Sequence, residues 1–177
     1  MSAVFDGTDY IEIPVGFLPY TFVDYLAKTV ECWISTSTTT NGQYGIFYKP
    51  GNEFTLALGM VVTGGVGVIQ GQIGTAGGIA QSYVETSSVT VNDGKPHHLV
   101  LRWDFNTSSH QLWVDGVLAT TSTTFSTISP DELNIVVGKP YTSSATATYN
   151  MTSYFVGTLD ELTLYSTVAL TSTQIAA

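Results

Sequence analysis

The chain has 177 residues, five Lys and Arg against fourteen Asp and Glu, and a formal net charge of −9, with only 11% of its residues charged. So few cations on so acidic a chain argue against nucleic-acid binding, which is built on Lys and Arg contacts to phosphate. The length suits one domain with a sizeable core, no run is long and apolar enough to span a bilayer, and a single cysteine, Cys32, leaves no internal disulfide framework.

In chain order, residues 4–13 alternate as one strand, with Tyr10 and Glu12 on one face and Ile11 and Ile13 on the other. Pro14 ends it, because proline cannot donate to a ladder. Residues 15–28 form an aromatic connection. Residues 29–35 are a strand in which Cys32 reads as a small buried residue. After a polar loop closing on Asn41-Gly42, residues 44–49 are a strand stopped by Pro50-Gly51. Residues 54–60 follow, with Phe54, Leu56 and Leu58 on one face, and Gly64-Gly65 make a turn into a strand around Val66, Val68 and Ile69. Residues 79–91 contain one more strand.

Residues 92–116 are the most legible part of the chain. Leu99, Leu101, Trp103 and Phe105 alternate with Val100, Arg102 and Asp104, giving one apolar and one mixed face. Residues 111–114 resume an extended pattern. Asp115-Gly116 between apolar runs predicts a tight hairpin turn with positive φ at both central residues. Residues 117–119 are the returning strand, residues 133–138 another, and residues 154–165 the closing strand. Residues 140–152 are a polar loop, and residues 171–174 fit a short capped turn. Strand after strand at short spacing, with no convincing amphipathic helix, predicts an antiparallel β-sandwich or jelly roll.

Four stretches, in order, carry a family resemblance. They are F-D-G-T-D-Y-I-E-I from Phe5, T-V-E-C-W-I from Thr29, D-G-K-P-H-H through L-W-V-D-G from Asp93, and F-V-G-T-L-D-E-L-T-L-Y from Phe155. Together they resemble the laminin-G-like members of the concanavalin A-like lectin/glucanase superfamily. The resemblance implies an all-β, antiparallel β-sandwich of concanavalin A-like/laminin-G-like jelly-roll type, formed as a single domain by residues 1–177. It also implies a structural calcium near the first and last strands, with Asp6 and Asp160 as ligands and Asp9 as a weaker candidate. The competing reading makes Asp6 and Asp9 turn formers and leaves Asp160 with backbone hydrogen bonds only.

Catalysis finds no motif. Glycoside hydrolysis needs two carboxylates facing one bond. The pairs Asp131-Glu132 and Asp160-Glu161 are adjacent, so in a strand they diverge. His97 and His98 likewise point to opposite faces and read as structural, and His110 reads as a surface residue. Carbohydrate binding would use exposed aromatics as platforms. The candidates are Tyr44 and Tyr48, four apart on one strand and so on one face, with Tyr141 and Tyr149 in the loop before the closing strand. Those tyrosines could equally fill the sandwich or a subunit interface. Trp33, Trp103 and Trp113 read mostly as core.

The expectation is therefore a non-catalytic recognition or assembly module. One version is a glycan-binding, lectin-like domain, including a carbohydrate-binding module of a larger secreted protein. The other is a virion decoration or fibre protein, such as those of phages, contacting copies of itself as a homo-oligomer or a capsid. A glycan-active enzyme ranks third. Residues 1–3 lead into the first strand without a basic or apolar leader, which fits a complete small protein or a domain cut from a longer one. The expected location is a virion surface or the extracellular space, without membrane insertion.

Overall fold

The structure, a computed structural model, describes residues 2–14, 27–49, 55–74, 82–85, 89–104, 107, 109–122, 134–142, 150–165 and 167–176. In chain order its strands are β1 (Ala3–Asp6), β2 (Ile11–Ile13), β3 (Lys28–Ser35), β4 (Gly42–Lys49), β5 (Thr55–Thr63), β6 (Val66–Gly74), β7 (Ser82–Glu85), β8 (Pro96–Asp104), β9 (Ser109–Val114), β10 (Val117–Ser122), β11 (Ile135–Val137), β12 (Tyr141–Thr142), β13 (Asn150–Met151), β14 (Ser153–Tyr154) and β15 (Val156–Tyr165). One helical turn, α1 (Ser172–Ile175), follows. A six-stranded sheet runs β1-β15-β3-β8-β9-β10, and a second runs β2-β11-β4-β5-β6-β7, with β14 beside β4. The two sheets form an all-β antiparallel sandwich of the concanavalin A-like, laminin-G-like kind.

Alternation along the strands explains the sandwich. On β3, Val30, Cys32 and Ile34 are buried, and on β8 so are Leu99, Leu101 and Trp103. They meet Ile46, Leu56, Leu58, Met60 and Ile69 from the facing sheet in one apolar cluster. Each such aliphatic side chain contributes about 1.5–3 kcal/mol by leaving water. Burial pushes the Cys32 thiol up to about 12, as befits an inert core residue. The expected hairpin turn is present: Asp115 and Gly116 have φ of 52° and 73°.

In its strands and loops the structure departs from the sequence expectations at several points. Residues 4–13 form two strands in opposite sheets, not one. Asp6 accepts hydrogen bonds from the Thr8 amide and hydroxyl at 2.8 and 2.7 Å, and Gly7, at φ 97°, turns the chain from one layer to the other. The closing strand begins at Val156, because the chain passes from β14 to β15 through the buried Phe155. The loop before it opens and closes as a small ladder, β12 with β13. His110, expected at the surface, is 1% exposed. It lies on the core-facing side of β9 with Leu112 and Val114, and burial lowers its pKa to about 4.

Candidate functional site

The outer face of the six-stranded sheet is laid out by register. Asp160 of β15 pairs with Trp33 of β3, and Trp33 pairs with His98 of β8. Three neighbouring strands, about 4.8 Å apart, thus place a carboxylate, an indole and an imidazole side by side. Trp33 points outward because Val30, Cys32 and Ile34 take the inward positions; its side chain is 38% exposed. The His98 ring stacks on it, with centroids 4.9 Å apart and planes 21° from parallel. His98 Nε2 lies 3.5 Å from Glu31 Oε2, and the Tyr165 hydroxyl donates to Glu31 Oε1 at 2.8 Å. That hydrogen bond raises the Tyr165 pKa.

A bulge shapes the rim. The β15–β3 register shifts between Asp160 and Thr163, and Glu161 takes φ 51°, a strained value for a residue with a Cβ. The Glu161 amide donates to Asp160 Oδ1 at 2.9 Å. Adjacent acids in a regular strand would diverge, but here Asp160 and Glu161 line one cleft. That cleft measures about 380 Å3 and also takes in Ser2, Trp33, Ser35 and Thr158. A second hollow of about 370 Å3 shares Ser35 and Thr158 with it.

The other half of this face is sealed by the C-terminal segment. Leu170 and Ile175 pack on Val100 and Trp113. Thr29 Oγ1 donates to the Val168 carbonyl at 3.0 Å and accepts from the Leu170 amide at 3.1 Å. The expected cap holds α1 in place: Gln174 N donates to Thr171 Oγ1 and Thr171 N donates to Gln174 Oε1. The open half is therefore bounded and centred on Trp33.

The residues singled out from the sequence lie elsewhere or apart. Tyr44 and Tyr48 do not share a face. A bulge between Gly45 and Phe47 shifts the β4–β5 register, which reverses the alternation between them. Tyr44 is 6% exposed, joins the main core and donates to the Thr40 carbonyl at 2.8 Å. Tyr48, also 6% exposed, packs with Ala57 and Met151 in a separate cluster. Neither presents an open ring. Tyr149 and the Tyr141 side chain lie outside the described residues. Asp6 pairs with Val156, four residues along β15 from Asp160, so the two are about 13 Å apart along the strand and do not converge. Asp6 instead caps the Thr8 turn, whose hydrogen bonds hold its carboxyl below the ordinary value. Among the described residues, no group of three or more His, Cys, Asp or Glu is arranged to hold a metal ion, and no helix is long and apolar enough to cross a membrane.

His97 and His98 do face opposite ways. His97 Nδ1 lies 2.8 Å from Asp115 Oδ2 and its Nε2 3.0 Å from Asp93 Oδ1, a structural clamp between two turns. Trp103 and Trp113 are core, as expected, and Trp33 is not.

The two-sheet antiparallel sandwich is lectin-like in its architecture. The chain belongs to the Concanavalin A-like lectin/glucanases superfamily, whose laminin-G-type model matches residues 5–176. Among solved structures it is similar to the heptameric SAP-like pentraxin of Limulus polyphemus (17% identity, TM-score 0.67, covering 99% of this chain and 79% of that one). It is also similar to domain 4 of the extracellular arabinanase AbnA of Geobacillus stearothermophilus, solved in complex with arabinotriose (19%, 0.66, 99% and 74%). A third is the CBM40 of the Ruminococcus gnavus IT-sialidase, solved bound to α2,6 sialyllactose (14%, 0.64, 99% and 95%). At these identities the likeness is one of fold. No curated protein matches the chain.

Proposed function

We propose that the protein is a carbohydrate-binding module whose site is the Trp33 face of the six-stranded sheet. The observation that carries this reading is the open Trp33 indole, backed by the stacked His98 and set in a cleft rimmed by Ser35, Thr158, Asp160 and Glu161. A sugar ring offers C–H groups to an aromatic face and hydroxyls to the surrounding acceptors and donors, and this arrangement supplies both. The second hollow, which shares Ser35 and Thr158 with the cleft, gives a neighbouring seat that suits a chain of more than one sugar. Two similar folds were solved with saccharides bound, which supports the class of ligand.

Binding without bond cleavage fits the carboxylates. Asp160 and Glu161 approach from the same rim, whereas hydrolysis needs a pair flanking the scissile bond. Among the described residues, a virion decoration or fibre role and a structural calcium have no observation comparable to the open Trp33 face behind them. The test is a glycan array with the wild type and W33A. Hits that vanish in W33A while its melting curve stays near wild type support the reading. An array without W33A-sensitive hits overturns it.

A further inference from the structure

Resting on the carbohydrate-binding reading above, we propose that the Trp33 face selects by charge: it binds sugars carrying a free ammonium best, neutral sugars less tightly, and rejects sialic and uronic acids. The indole and the cleft make the site; the distribution of charge around it sets which sugar enters.

All five Lys and Arg of the chain can be placed, and none lines the cleft. Lys28 and Lys49 are buried in the sandwich. Arg102 is held by Asp104 at 3.1 Å and Gln111 at 2.8 Å. Lys95 lies 3.1 Å from Asp93 Oδ2, and Lys139 sits over the Tyr10 ring at 4.3 Å. The cleft has Asp160 and Glu161 on its rim, and the one basic ring at the site, His98, already faces Glu31. Among the described residues a carboxylate ligand would meet no Lys or Arg lining the cleft, against two acids and a net charge of −9. It would lose its water and gain no ion pair. An ammonium gains the opposite: carboxylates at the rim and the negative face of the Trp33 ring, a favourable seat for a cation.

The experiment is calorimetric titration of the wild type with a glucosamine tetrasaccharide, its fully N-acetylated counterpart and a uronic-acid tetrasaccharide, each at low and high salt. The glucosamine chain is expected to bind roughly tenfold more tightly than the acetylated chain at low salt, the scale of one or two exposed charge contacts. The margin should shrink at high salt and narrow in D160N and in E161Q, with the uronate showing no binding. W33A should lose all of them. Equal affinities, or tighter binding of the uronate, with W33A still abolishing binding, overturn charge selection and leave the carbohydrate reading standing. An ammonium preference that persists unchanged in the D160N/E161Q double variant also overturns it, because the attraction would then come from overall charge. If neither these chains nor any glycan on the array shows W33A-sensitive binding, both fall together.

Discussion

His97 Nδ1 and Asp115 Oδ2, eighteen residues apart in the chain, meet at 2.8 Å, and Oδ1 of the same carboxylate accepts the His98 amide at 2.9 Å. The β9–β10 turn is thereby tied to the start of β8, directly beneath the ring that stacks on Trp33. With carboxylates at both ring nitrogens, Asp115 on one side and Asp93 on the other, the protonated ring of His97 has an acceptor for each N–H, so the site favours the charged form.

That clamp gives stability a pH dependence. Burial alone would lower the His97 pKa, but its hydrogen bonds to Asp115 and Asp93 outweigh it and raise the value above 6.5. The stabilisation is fully present below the unfolded value and is lost as pH rises through the folded one. Asp93 is depressed below 3.8, first by the Lys95 amide, then by His97 and the Lys95 ammonium, so its share is lost as pH falls. Both are whole between about pH 4 and pH 6.5. The melting-temperature gap between wild type and H97Q should be widest there and should narrow as pH rises above neutrality. A gap constant from pH 5 to 9 contradicts the clamp.

Tyr48 is predicted to be a packing residue. Tyr48→Ala leaves a cavity against Ala57 and Met151 and should cost about 3 kcal/mol in denaturant unfolding. Tyr44→Phe removes one hydrogen bond to Thr40 and should cost about 1 kcal/mol. Neither folded variant should change affinity for a ligand at Trp33. A selective loss of binding in Y48A at unchanged stability would count against this assignment.

Asp6 and Asp160 are predicted to act independently. Their register separation leaves no shared ligand, so the melting shifts of D6N and D160N should add in the double variant, with and without calcium. Strong non-additivity that appears only with calcium would reveal an ion held between them.

Much of the sandwich was legible because its signals are local. Asp115-Gly116 demanded a positive-φ turn, and the β8 alternation set the two faces. The site was legible in part. Glu31, Trp33 and Ser35 alternate with Val30, Cys32 and Ile34, so the parity that buries the latter exposes Trp33; reading an indole as core hid this. His110 shares parity with Leu112 and Val114, which pointed inward. The bulges were not legible. Nothing in Gly45-Ile46-Phe47 or Asp160-Glu161 announces a register shift, since a bulge is settled by pairing with distant strands. One shift separated Tyr44 from Tyr48, and the other brought two acids to one rim.

The most direct measurement is a titration of isotopically labelled protein, followed through its three Trp indole N–H signals, with a sugar taken from the array and Trp33 assigned by W33F. The account predicts that the Trp33 signal moves with ligand, together with amides around His98, Ser35 and Asp160, while the Trp103 and Trp113 signals stay in place. A saturable shift confined elsewhere, such as around Tyr10 and Tyr154, with Trp33 unmoved, would contradict it.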